Sequence, residues 1–133
     1  MKLPQLAELL AYENDQVLHY FCYQQPHFSY EKAQQLFKDL LAWMWLKVHR
    51  QQSNHPSYLF GPLLILDELW HCFILHTRAY SDFCQHYFND YLHHEVEPIG
   101  FEHQLSTEEL TDFLNDCFDL LDVSWLHRHF PLP

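Results

Sequence analysis

The sequence predicts an all-α fold: a compact bundle of roughly four to five helices in one domain spanning residues 1–133, with a long central helix near 62–88. Three observations predict it. Apolar residues recur at helical spacing along most of the chain. No stretch alternates apolar and polar residues as a half-buried strand would. The chain holds 4 Trp, 8 Tyr and 11 Phe, so a few helices supply enough bulk for a core. At 133 residues one domain is expected, able to bury roughly two-thirds of its unfolded surface.

The first helical segment runs from about Pro4 to Tyr23. Proline suits a first turn. A bend is expected at Glu13-Asn14-Asp15-Gln16, where Asn14 or Asp15 can cap a second piece carrying Val17, Leu18, Phe21 and Cys22. Pro26 disfavours helix at the residue before it. The second helix starts at a Ser29 N-cap and reaches about Arg50. Its apolar set is Ala33, Leu36, Phe37, Leu40, Leu41, Met44, Trp45 and Val48. Lys47, His49 and Arg50 suit its last turn, where the helix dipole favours cations.

The third helix is expected over Pro62 to Phe88, as the central one. Leu63, Leu66, Leu69, Trp70, Phe73, Ile74, Tyr80, Cys84, Tyr87 and Phe88 share one broad face. A long irregular connection follows, with Gly100 as punctuation. The fourth helix opens at Ser106-Thr107-Glu108-Glu109, a capping box with Ser106 at N-cap and Glu109 at N3. Leu110, Phe113, Leu114, Cys117, Leu120 and Leu121 face inward. The aromatic tail from Ser124 is expected to tuck Trp125 and Phe130 against the body.

Charge divides the chain unevenly. Residues 1–78 carry seven acids against six bases, and residues 79–133 carry eleven acids against Arg128 alone. The net charge is -11. Such a field repels nucleic acid and anionic membrane, and attracts a basic protein surface. Only 2 Gly are present, which excludes Gly-rich phosphate loops and dinucleotide fingerprints. The longest apolar runs fall far short of the ~20 residues a bilayer requires. The N-terminus lacks the pattern of a secretory signal. Cys22, Cys72, Cys84 and Cys117 are widely spaced with no CxxC pair, as expected of free thiols in the cytoplasm or another reducing compartment.

Two constellations can carry function. Asp67 and His71 lie four apart, one above the other at the margin of the apolar face of the third helix, and Arg78 and Asp82 extend that margin. His93 and His94 follow the helix and are expected to fold back. Asp67, His71, His93 and His94 would suit zinc, iron or nickel. Cys72 and His76 also lie four apart, but two ligands do not make a site. No serine or cysteine sits in an elbow-like turn, so no complete catalytic motif is present and a non-enzymatic protein is expected. The second constellation is acidic: Glu108, Glu109, Asp112, Asp116, Asp119 and Asp122 on the fourth helix and its exit. Like charges at helical spacing cost stability, which a basic partner surface would restore.

The stretch from Leu66 to His94 resembles the core motif of the glycine-rich domain-containing protein-like family. The matching positions are Asp67, Trp70, His71, Tyr80, Cys84, Leu92, His93 and His94. Phe73 stands where that family often has a second His, and His93 where it has Asp. The resemblance implies a shared helical core signature, with Trp70, Tyr80 and Cys84 specifying the fold, rather than a particular activity.

The leading functional expectation is therefore a small acidic interaction module, a regulator or inhibitor docking on a basic partner through its C-terminal half and needing no cofactor. The alternative is a divalent-metal-binding protein, or an accessory subunit of a metalloenzyme, using Asp67, His71, His93 and His94.

Overall fold

The computed structural model describes residues 1–95 and 104–131; most of the long connection, Gly100 included, lies outside them. The described residues form helices and contain no strand. In order these are α1 (Leu6–Leu10), α2 (Asp15–Gln24), α3 (Tyr30–Gln51), α4 (Leu64–Leu75), α5 (Thr77–Phe88), α6 (Thr107–Asp116) and α7 (Val123–His129). A 3-10 turn, Gly61–Leu63, leads into α4, and a π turn, Cys117–Leu121, continues α6.

The helix starts follow local side-chain chemistry. Asn14 accepts from the Val17 amide and opens α2. Ser29 accepts from the Lys32 amide and opens α3. Ser106 and Glu109 close a reciprocal capping box on α6. Each cap satisfies amides that have no partner inside the helix.

The central helix is α3, not the 62–88 segment. It packs against α1, α2, α4 and the π turn, and is buried on nearly every side over its second half. The expected long third helix is instead two. It breaks at His76, whose φ of -83° and ψ of 68° match an inverse γ-turn. The His76 Nδ1 lies 2.7 Å from the Cys72 carbonyl oxygen. Neither proline nor glycine marks the break. The turn lets α5 fold back, so that Phe73 meets both Tyr80 and Phe83 edge to face.

All four indoles donate to distant partners. Trp43 Nε1 donates to the Tyr58 carbonyl at 3.0 Å, and Trp45 Nε1 to the Pro4 carbonyl at 2.8 Å. Trp70 Nε1 donates to the Tyr80 hydroxyl at 3.0 Å, and Trp125 Nε1 to the Asp39 carbonyl at 3.1 Å. Each ring therefore fills core volume while pinning a loop or a second helix.

Two charges on α3 are as buried as its leucines: Asp39 and Arg50 are each 2% exposed. Asp39 accepts two hydrogen bonds from the Arg128 Nε (3.0 and 3.2 Å) and one from its Nη2 (2.7 Å). The His129 Nε2 lies 2.9 Å from the other carboxylate oxygen. Arg50 donates to Asp116, to Asp112 at 3.2 Å, and to the Pro56 carbonyl. A buried charge is tolerable only when paired and hydrogen-bonded. These pairs therefore fasten α7 and α6 to α3.

Burial raises the Asp39 carboxyl, but the hydrogen bonds from His129 and Arg128 outweigh it and hold the group below its ordinary range. A depressed folded value stabilises the fold above the unfolded pKa of ~3.9, and that stability is lost as pH falls through the folded value. Asp39→Asn should cost on the order of 3 kcal/mol at pH 7. It should also flatten the loss of stability below about pH 4. Urea unfolding across pH measures both, and equal stability of the two proteins at pH 7 would contradict the pairing.

Candidate metal centre

Asp67 and His71 project from one side of α4, one turn apart. The chain leaves α5 through Asn89, whose φ of 57° and ψ of 25° form a left-handed C-cap. It then returns across α4. Leu92 inserts into the core at 1% exposure. Burial alternates along the return, with Leu92 and His94 more buried than Tyr91, His93 and Glu95. His94 accordingly falls on the side of Leu92, toward α4, while His93 faces solvent beside Tyr91.

The return brings three ligand atoms together. His94 Nε2 lies 2.5 Å from Asp67 Oδ1 and 3.0 Å from His71 Nε2. His71 Nε2 lies 3.4 Å from Asp67 Oδ2. Ligands at 2.0–2.2 Å from a metal sit about 3.0–3.5 Å apart when they share its coordination sphere. The two distances from His71 fall in that range, His94 and Asp67 stand closer as a hydrogen-bonded pair, and His93 is not among the group.

Asp67 and His94 shift each other's titration. Burial raises the Asp67 carboxyl, but the His94 hydrogen bond and the His71 and His94 charges more than compensate and lower it. The Asp67 hydrogen bond raises His94 against the opposing effect of burial. The His94 imidazole is largely buried, with 18% of its side chain exposed. Its face lies against Trp70, with ring centroids 4.4 Å apart. His71 is more open than a margin position implies, with 54% of its side chain exposed. A groove of about 240 Å³ runs beside it between α2 and α4, lined by Phe21, Gln24, Gln25, Glu68, Cys72 and Leu75.

Other sequence candidates fall elsewhere. Arg78 and Asp82 lie beyond the break, exposed on α5, and do not extend the Asp67–His71 edge. Cys72 is buried, and burial pushes its thiol up, against service as a thiolate ligand. The cysteines are free thiols.

The acidic set is mostly engaged inside the molecule. Asp112 and Asp116 pair with Arg50. Glu109 closes the capping box and accepts from the Tyr58 hydroxyl at 3.3 Å. Asp122 caps α7 by accepting from the Trp125 amide at 2.9 Å. Glu108 and Asp119 point to solvent. Sequence reasoning found no base to offset this helix because Arg50 lies 62 and 66 residues away. It also missed Asp39, whose signal was an acid between two core positions, Leu36 and Leu40.

Fold and site together define a small all-helical protein with two histidines and one carboxylate gathered where a returning segment crosses a helix. The chain belongs to the UCP032817-like family, whose model matches residues 8–113. This corrects the resemblance to the glycine-rich domain-containing protein-like family. The residues shared with that motif are largely buried scaffold, Trp70, Tyr80, Cys84 and Leu92, whereas the family match extends over most of the chain. No curated protein and no solved structure matches the chain.

The acids separate by their partners. Asp116→Asn should destabilise the fold by about 1–3 kcal/mol, because it weakens the pairing of a buried guanidinium. Asp119→Asn should change stability by no more than about 0.5 kcal/mol. Denaturant midpoints of the two variants check this, and equal midpoints would contradict it.

Proposed function

We propose that this protein binds a divalent transition metal through Asp67, His71 and His94. The observation that carries the reading is the 3.0 Å approach of two imidazole Nε2 atoms beside a shared carboxylate. One proton between His94 and Asp67 satisfies that pair but leaves His71 facing another ring nitrogen. A single cation satisfies all three. Two histidines and one carboxylate suit zinc, iron or nickel, and such a set leaves coordination positions open for water or a further ligand.

Protein purified without a histidine tag should bind one zinc, iron or nickel ion per chain. At a hundredfold excess over Kd the ion should stabilise the fold by about 2.7 kcal/mol, seen as a rise in Tm. Asp67→Asn and His94→Ala should abolish that rise, and His93→Ala should retain it. No bound metal and no thermal shift in the wild type would overturn the reading.

A second reading, an interaction module docking on a basic protein, is favoured by a different observation. Phe118, next to the solvent-facing Asp119, is 54% exposed, and Val123 at the start of α7 is 44% exposed. On this reading Glu108→Lys with Asp119→Lys weakens capture of a basic partner, and wild-type capture falls steeply with salt. Capture indifferent to both would dismiss it.

A further inference from the structure

The three metal-ligating atoms come from two pieces of chain, α4 and the segment after α5. What sets the distance between those pieces is a residue that does not reach the ion position. Tyr80, on the first turn of α5, is fully buried. Its hydroxyl accepts from Trp70 Nε1 at 3.0 Å and donates to the Leu92 carbonyl at 2.5 Å. Trp70 is the neighbour of His71 on α4, one turn from Asp67. Leu92 lies two residues before His94, on the same side of the returning segment. Cys84, one turn along α5, is fully buried as well.

One hydroxyl thus joins the helix that carries Asp67 and His71 to the segment that carries His94. Burial pushes the Tyr80 phenol up, so it stays protonated and able to donate. Its donor is used on Leu92 and a lone pair on Trp70. Trp70 in turn packs on the His94 ring, so the relay meets the ligand again from below.

We infer that Tyr80 is the positioning residue of the centre: its hydroxyl clamps Leu92 to Trp70 and thereby holds His94 against Asp67 and His71. The metal-binding consequence rests on the reading proposed above; the positioning of His94 does not. Docking of the returning segment and completion of the ligand set are then a single event.

Tyr80→Phe removes only the hydroxyl. Without metal, the nuclear Overhauser contacts between the Trp70 and His94 rings should weaken or vanish in this variant. Its zinc affinity should fall about 10- to 100-fold, as when a partner behind a metal ligand is lost. Trp125→Phe is the control, since it removes a buried hydrogen bond to the Asp39 carbonyl where α7 meets α3, and its ring packs on His129 rather than on Trp70. It should be destabilised as well, yet keep the ring contacts and bind zinc as the wild type does. Unchanged ring contacts in Tyr80→Phe would overturn the inference, as would equal losses of affinity in the two variants. A wild type that binds no zinc, with ring contacts still lost in Tyr80→Phe, would remove the metal reading and leave the positioning role standing.

Discussion

Two opposite charges buried on one helix organise the molecule. Asp39 and Arg50 lie on α3, at positions with no access to water. Neither has an intrahelical counter-charge that neutralises it. Each must therefore be met by a group brought from far along the chain, and each is met by a C-terminal helix. Removing one partner of such a pair strands a charge in the interior, which costs several kcal/mol. The requirement fixes where α6 and α7 sit more sharply than apolar contact does, because apolar contact tolerates sliding and a forked guanidinium does not.

The same economy of polar groups recurs in the N-terminal two-thirds with neutral partners. Each tryptophan is large enough to shape the core and carries one donor that must find an acceptor. Trp43 and Trp45 spend theirs on loop and N-terminal carbonyls. Trp70 spends its donor on the Tyr80 hydroxyl, a group that can pass the bond on. That difference matters, because a hydroxyl both accepts and donates while a carbonyl ends the chain. The Trp70–Tyr80–Leu92 relay is therefore the place where core packing is converted into the position of a surface histidine.

Much of this was legible in the sequence, and the failures have one physical cause. The caps at Asn14, Ser29 and Ser106 depend on residues within three positions of one another, so local pattern reveals them. So does the Asp67–His71 pair, one helical turn apart. The break at His76 was invisible because no proline or glycine forces it; the gain comes from packing α5 back on α4. Arg50 looked like a cation complementing a helix dipole and is instead the buried partner of α6. Between His93 and His94 the sequence offered no choice until the alternating burial of the return was known. Leu92 decides it: once that leucine points inward, His94 does and His93 does not.

The charge asymmetry takes on a different meaning once the internal pairs are counted. Asp112 and Asp116 are answered by Arg50, so part of the acidity of the C-terminal half is structural. What remains is still a negative field, and a field does not distinguish a basic protein from a metal ion. It raises the local concentration of any cation near the surface and speeds its arrival, more so at low salt. Capture then depends on whether a short-range site waits within the field. Exposed Glu108 and Asp119 offer scattered charge, whereas Asp67, His71 and His94 offer three candidate ligand atoms around one point. On the metal-binding reading, ligand atoms that already converge leave less rotamer entropy for binding to cost, and the acidic half would act as the funnel to the α4 corner.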